Sequence, residues 1–240
     1  MELYHYTNID SLAAILDSGT IKFNRLDKVN DLTEGFTDDF GYLAPFIFVS
    51  CWTAHQEENL SLWKMYTQDF RGIRIKLDFP FFKGFNEKGC IANPEMYFDT
   101  KCLVLNYEPL TKVEYTNNKI NLNPLIKSNI GLELNKLAKY KSEYWSVENE
   151  YRIVLLMIPI ENTAVTVEEI NQSSYNNLIK KHYPQFDSYF LEFEKASLNS
   201  MEITLGPKAT YGDEIIINSL VEKYNPNAKL IKSNLTGKIR

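Results

Sequence analysis

Glu148-Asn149-Glu150-Tyr151-Arg152 runs without interruption into Ile153-Val154-Leu155-Leu156-Met157-Ile158. An apolar run of this length, opened by charge, reads as a buried strand. Strand side chains alternate, so Glu148, Glu150 and Arg152 are expected on one face at the strand's mouth. Carboxylates that close raise each other's proton affinity and are costly unless a cation, a cleft or a substrate hydroxyl uses them. Arg152 can neutralise one of the two. The pattern therefore has two readings: a functional site, or a row of structural ion pairs at a sheet edge.

The rest of the chain limits the setting. Its 240 residues suffice for a sizeable core, and one α+β domain over 1–240 is the economical organisation. Helices are expected at 8–18, between Asn8 as cap and Gly19 as stop, and at 57–66, 122–143, 166–182 and 212–224. Strands are expected at 2–6, 21–23, 46–52, 73–77, 102–107, 150–158, 201–205 and 229–232, with 26–43 a polar loop that can hold a short helix and 79–96 a loop or lid. No regular βαβ rhythm and no Gly-rich phosphate loop is present, which argues against dinucleotide folds of the doubly wound type. Net charge is −5, so the molecule as a whole is no electrostatic nucleic-acid binder. Lys136, Lys139 and Lys141 read as a solvated helix face. Three cysteines and three scattered histidines lack metal spacing, so no metal is expected. No apolar run approaches the roughly 18 residues of a membrane span, and the N-terminus opens on a strand rather than a signal segment. A cytoplasmic protein without membrane contact is the expectation.

Several other residues carry potential chemistry. His5, in Tyr4-His5-Tyr6-Thr7, ends the first strand beside a helix start; it can bond ribose hydroxyls or simply satisfy a carbonyl. Ser50 and Thr53 can offer hydroxyls, whereas Cys51 reads as a small buried thiol. Tyr66 ends an apolar helical stripe with Trp63 and can stack on a flat ring. Arg25 and Lys28 can hold a pyrophosphate or stand as solvated loop charges. Asn30-Asp31-x-x-Glu34 reads as a helix cap or a substrate loop rather than a calcium loop.

Taken in order, Tyr4-His5-Tyr6-Thr7, Asn30-Asp31, Val49-Ser50-Cys51-Trp52-Thr53, Leu62-Trp63-Lys64-Met65-Tyr66, Trp145-x-x-Glu148-x-Glu150-x-Arg152 and Leu205-Gly206-Pro207 resemble the DUF2971 group. The wider resemblance is to the ADP-ribosyltransferase superfamily, including its toxin branch. That resemblance implies a split β-sheet around a cleft, with NAD as substrate and no metal. It implies that His5, Tyr6, Thr7, Arg25, Ser50, Thr53 and Tyr66 bind NAD. Glu150 would stabilise the oxocarbenium-like charge and Glu148 would orient or deprotonate the acceptor. It further implies a toxin or phage-defence effector that modifies RNA, DNA or protein, with nucleic acid favoured and an antitoxin as possible partner. An NAD glycohydrolase and a non-catalytic nucleotide- or partner-binding module are the alternatives.

Overall fold

The computed structural model describes residues 1–90, 101–106, 108–119, 127–128, 131–132, 136–161, 164 and 166–240. Ten strands form the main sheet: β1 (Glu2–Thr7), β2 (Thr20–Arg25), β3 (Ile47–Thr53), β4 (Ile73–Asp78), β5 (Cys102–Leu105), β6 (Thr111–Lys112), β7 (Glu150–Pro159), β8 (Ser188–Glu192), β9 (Glu202–Leu205) and β10 (Lys229–Lys232). Helices are α1 (Ile9–Ser18), α2 (Leu60–Tyr66), α3 (Val167–Lys180), α4 (Lys195–Asn199) and α5 (Tyr211–Tyr224). The mixed α/β arrangement agrees with the α+β expectation.

Local chemistry explains most of these elements. Asn8 caps α1 by accepting from the Ser11 N–H at 2.7 Å, and Gly19 closes the helix in the left-handed region at φ 66°. Asn59 caps α2 in the same way, while α3 and α5 open on capping boxes from Thr166/Glu169 and Thr210/Asp213. Arg71 forks onto Asp213 at 3.1 and 2.9 Å, tying the start of α5 to the turn before β4.

The strand order is β8-β2-β3-β1-β4-β9-β10, with β7 beside β3 and carrying β5 and β6 on its outer side. β7 pairs along the whole of β3, from Glu150 opposite Thr53 to Leu156 opposite Ile47. β1 and β2 must therefore share the other edge of β3. β2 takes one end, at Phe48 and Val49, and β1 takes the other, at Thr53. Between them the sheet opens: among the described residues no strand lies along Ser50–Trp52 on that side. Strand β3 is the one element common to both halves.

Two cores lie on opposite faces. On one, Leu3, Phe23, Phe48, Ile75 and Ile153 pack under α1 and α5. On the other, Leu26, Phe46, Val49, Leu156 and Leu178 pack under the 26–46 segment and α3. The segment expected as a loop or lid is a loop over 79–90, but its Phe81 and Phe82 are buried, Phe82 stacking on Phe193 at 5.4 Å and Phe81 against Trp52 at 4.6 Å. This stretch is part of the core and does not cover the cleft; residues 91–96 lie outside the described residues.

The helix expected at 122–143 is not found among its described residues. Two-residue strands stand at Lys127–Ser128, Gly131–Leu132 and Tyr140–Lys141, followed by a 3-10 turn at Glu143–Glu148. Ala138 adopts φ 62°, outside helical space, and Leu137 and Ala138 insert into the second core. Tertiary packing overrides the helical pattern here. The strand β8, the helix α4 and a hairpin between Phe36–Thr37 and Gly41–Tyr42 have no counterpart in the sequence reading.

Candidate functional site

The opening between β1 and β2 is the mouth of a cleft of about 450 Å³, within the range of small-ligand sites. Because the sheet is interrupted there, side chains from both faces of β3 line it: Ser50 and Trp52 from one, Cys51 and Thr53 from the other. His5, Tyr6, Thr7 and Tyr66 also line it, as do Lys141, Glu148, Glu150 and Arg152.

His5 occupies the sheet opening. Its Nδ1 lies 2.9 Å from the Cys51 carbonyl, which lacks a strand partner on that side. A carbonyl only accepts, so Nδ1 carries the proton. Burial lowers the pKa of the ring, leaving a neutral imidazole whose Nε2 is an acceptor. Tyr6 Oη accepts from the Asn59 N–H at 3.1 Å and its ring meets Trp63 edge-on, which fixes the start of α2. Ser50 Oγ accepts from Trp52 Nε1 at 2.9 Å, and Thr53 Oγ1 donates to the Asn149 carbonyl at 3.1 Å. Cys51 is a thiol whose pKa burial and the nearby Glu150 push well up, as a structural cysteine's would be.

Arg25 is not at the cleft. Its guanidinium forks onto Asp27 at 2.7 and 3.0 Å and donates to the Pro184 and Phe186 carbonyls. Nη1 holds the 184–187 segment while Nε and Nη2 hold Asp27, so the expected pyrophosphate contact is corrected for Arg25, although Lys28 does line the cleft.

The carboxylates meet differently from the expected strand face. Glu148 ends the 3-10 turn, Asn149 turns the chain at φ 42°, and the strand begins only at Glu150. They converge through Lys141, whose Nζ donates to Glu148 Oε2 at 2.5 Å and Glu150 Oε2 at 3.3 Å, and lies 4.7 Å from the centre of the Trp145 ring. Lys141 is 4% exposed, not part of a solvated helix face. Arg152 donates to Glu150 from Nε at 2.8 Å and from Nη2 at 3.0 Å, and pairs on its far side with Glu34. Tyr66 Oη donates to Glu148 Oε1 at 2.5 Å.

This is a buried cluster of three carboxylates and two cations. Its electrostatics distinguish the carboxylates. Burial pushes Glu150 up, but Arg152 and Lys141 prevail and hold it at about 2. For Glu148 and Glu34 burial prevails and raises both. Glu150 has both oxygens committed to cations, whereas each oxygen of Glu148 accepts a single bond and retains a lone pair. Glu148 is thus the carboxylate equipped to take or give a proton at the cleft.

Lys141, Glu34 and Tyr115 were missed as members of the cluster. Tyr115 Oη accepts from the Glu150 N–H at 2.8 Å. No helix follows Asp31; it closes a turn instead, accepting from the Thr33 N–H at 2.9 Å, and this turn delivers Glu34 to Arg152. Nothing in the local pattern around Glu34 marks a partner so far along the chain. Among the described residues there is no cluster of metal-ligating side chains, and no helix is long and apolar enough to cross a membrane.

Fold and site define a mixed α/β protein whose sheet opens around a cleft with a buried ionic cluster at one end. Residues 62–153 match the family model DUF2971, described as a protein of unknown function. The matched stretch runs from α2 into β7, so it contains Tyr66, Lys141, Glu148, Glu150 and Arg152 but neither His5 nor Glu34. No curated protein and no solved structure matches the chain.

Proposed function

We propose that the cleft binds NAD and passes its ADP-ribose to a macromolecular acceptor (RNA, DNA or protein), with nucleic acid favoured. The supporting observation is convergence: His5 from β1, Tyr66 from the end of α2, and Glu148 and Glu150 before and on β7 line one cleft at the opening of the sheet. In this reading the bond between ribose C1′ and the nicotinamide nitrogen breaks, and nicotinamide leaves with the electron pair. The ribose passes through an oxocarbenium-like state that fixed negative charge favours, and Glu150, anchored by Arg152, supplies that charge. The acceptor oxygen or nitrogen then bonds to C1′ and its proton passes to Glu148. Tyr66 sets the orientation of Glu148 and offers a ring face to nicotinamide. A toxin or phage-defence role in the cytoplasm, held in check by an antitoxin protein, belongs to the same proposal.

A second reading has its own support. Glu150 is saturated by cations, as in a site that binds a nucleotide without cleaving it. The two separate on incubation with labelled NAD and cell extract fractionated into RNA, DNA and protein. Label in one fraction, lost in Glu148→Gln and reduced by several orders of magnitude in Glu150→Gln, supports transfer. Nicotinamide release without labelled macromolecule makes water the acceptor. NAD binding that survives Glu150→Gln with no turnover in either protein sinks the catalytic reading.

A further inference from the structure

The far end of the cleft carries a chemistry that the ionic cluster does not use. Glu148 and Glu150 are the only carboxylates among the described residues lining the cleft, and both belong to the cluster. At the other end stand Lys22 and Asn24 of β2, Lys28 in the turn after it, and Phe190 of β8. Register places them together: Lys22 pairs with Phe190, and Asn24 pairs with Val49 of β3. Alternation then puts Phe190, Lys22, Asn24, Val49, Cys51 and Arg152 on the same sheet face. Both lysines are exposed, and neither has an ion-pair partner among the described residues. Phe190 is 56% exposed on an edge strand and meets no other aromatic ring among the described residues. Three strand-to-strand steps separate Phe190 from Arg152, roughly 14 Å at ordinary spacing and more where the sheet opens. A ligand reaching from one end to the other is therefore extended, with a flat group at one end and negative charge between.

We infer that the β2–β8 end of the cleft is a nucleoside diphosphate subsite, in which Phe190 stacks on the base and Lys22 and Lys28 hold the diphosphate. The inference deepens the NAD reading by naming the residues for its ADP half, yet it is testable without turnover. Two unpaired lysines beside a cleft attract phosphate by charge, and an exposed phenyl ring offers a stacking face of the kind used for bases.

The test is calorimetric titration of the full chain with ADP and, separately, with inorganic pyrophosphate. Thermal melts confirm that Lys22→Ser, Lys28→Ser and Phe190→Ala remain folded, as their exposure leads one to expect. Each lysine substitution should weaken ADP and pyrophosphate alike by about ten-fold. Phe190→Ala should weaken ADP about ten-fold and leave pyrophosphate unchanged. ADP that fails to bind the unaltered protein, or that binds all three variants with unchanged affinity, overturns the inference. NAD cleavage with ADP binding indifferent to these variants would end the subsite and leave the proposed reaction standing. ADP held as described without any NAD cleavage would do the reverse.

Discussion

Arg152 shows what a single residue does here. It is 1% exposed and holds Glu34 and Glu150 on opposite sides of one guanidinium, with Nη1 also donating to the Ala138 carbonyl at 3.0 Å. Arg152→Leu strips buried Glu34 of its cation and leaves Glu150 with Lys141 alone, and should cost about 3–5 kcal/mol. Changing Glu34, Glu150 and Arg152 together to Leu should restore much of that loss, because no charge is then stranded; urea denaturation of both proteins decides the matter. The same cluster sets a pH signature. Glu150 at about 2 lies below its ordinary 4.5, so its contribution is complete above pH 4.5 and is lost as pH falls toward 2. That contribution is on the order of 3 kcal/mol. Glu34 and Glu148, raised by burial, act in the opposite sense, contributing most at low pH and less as pH rises through their folded values. Unfolding measured at pH 7, 4.5 and 2.5 should show a loss between the last two that is smaller in Glu150→Gln.

At the scale of elements, the join between α2 and β4 carries the most conformational constraint. Gln68, Asp69 and Phe70 all have positive φ, at 49°, 60° and 70°, a conformation that costs L-residues energy and is rare in succession. Gly72 follows, and a Cβ there would lie 2.2 Å from the Thr7 carbonyl oxygen and 2.7 Å from Thr67 Cβ. Gly72→Ala should therefore destabilise by more than about 2 kcal/mol and shift the end of α2 that carries Tyr66; a thermal melt and the Tyr66 hydroxyl resonance would register both effects. The turn explains why the sequence was informative in some places and not others. Asn8 and Gly19 announced α1 because caps act locally, and 73–77 announced β4 by its alternation. No local rule produces three left-handed residues in a row, and none would break a helix at Ala138, where the core claims Leu137 and Ala138. The Glu148–Glu150 pair was legible as a charged entrance to a strand. Its partners Lys141 and Glu34 were not, because burial of those charges is decided by Arg152 and by the fold, not by their neighbours in sequence.

At the scale of the molecule, the sheet is two half-sheets that share β3. One half, β1 and β4 with β9 and β10, brings His5; the other, β2, β7 and β8, brings the carboxylates and the lysines of the far end. The opening between them exists because β1 and β2 divide a single edge, a relation fixed by pairing rather than by any one side chain. The particular division at Ser50–Trp52 follows from register alone. The use of β3 by both halves also gives the site an order of assembly. Strands β1 to β4 lie within residues 2–78, so the walls that bear His5 and Tyr66 are synthesised before β7. Their charged counterpart waits for β7, whose pairing with β3 closes one of the longest loops in the molecule, and non-local closure of that kind is slow. A ribosome-bound chain would thus carry an open half-cleft without its acids until β7 emerges and pairs with β3.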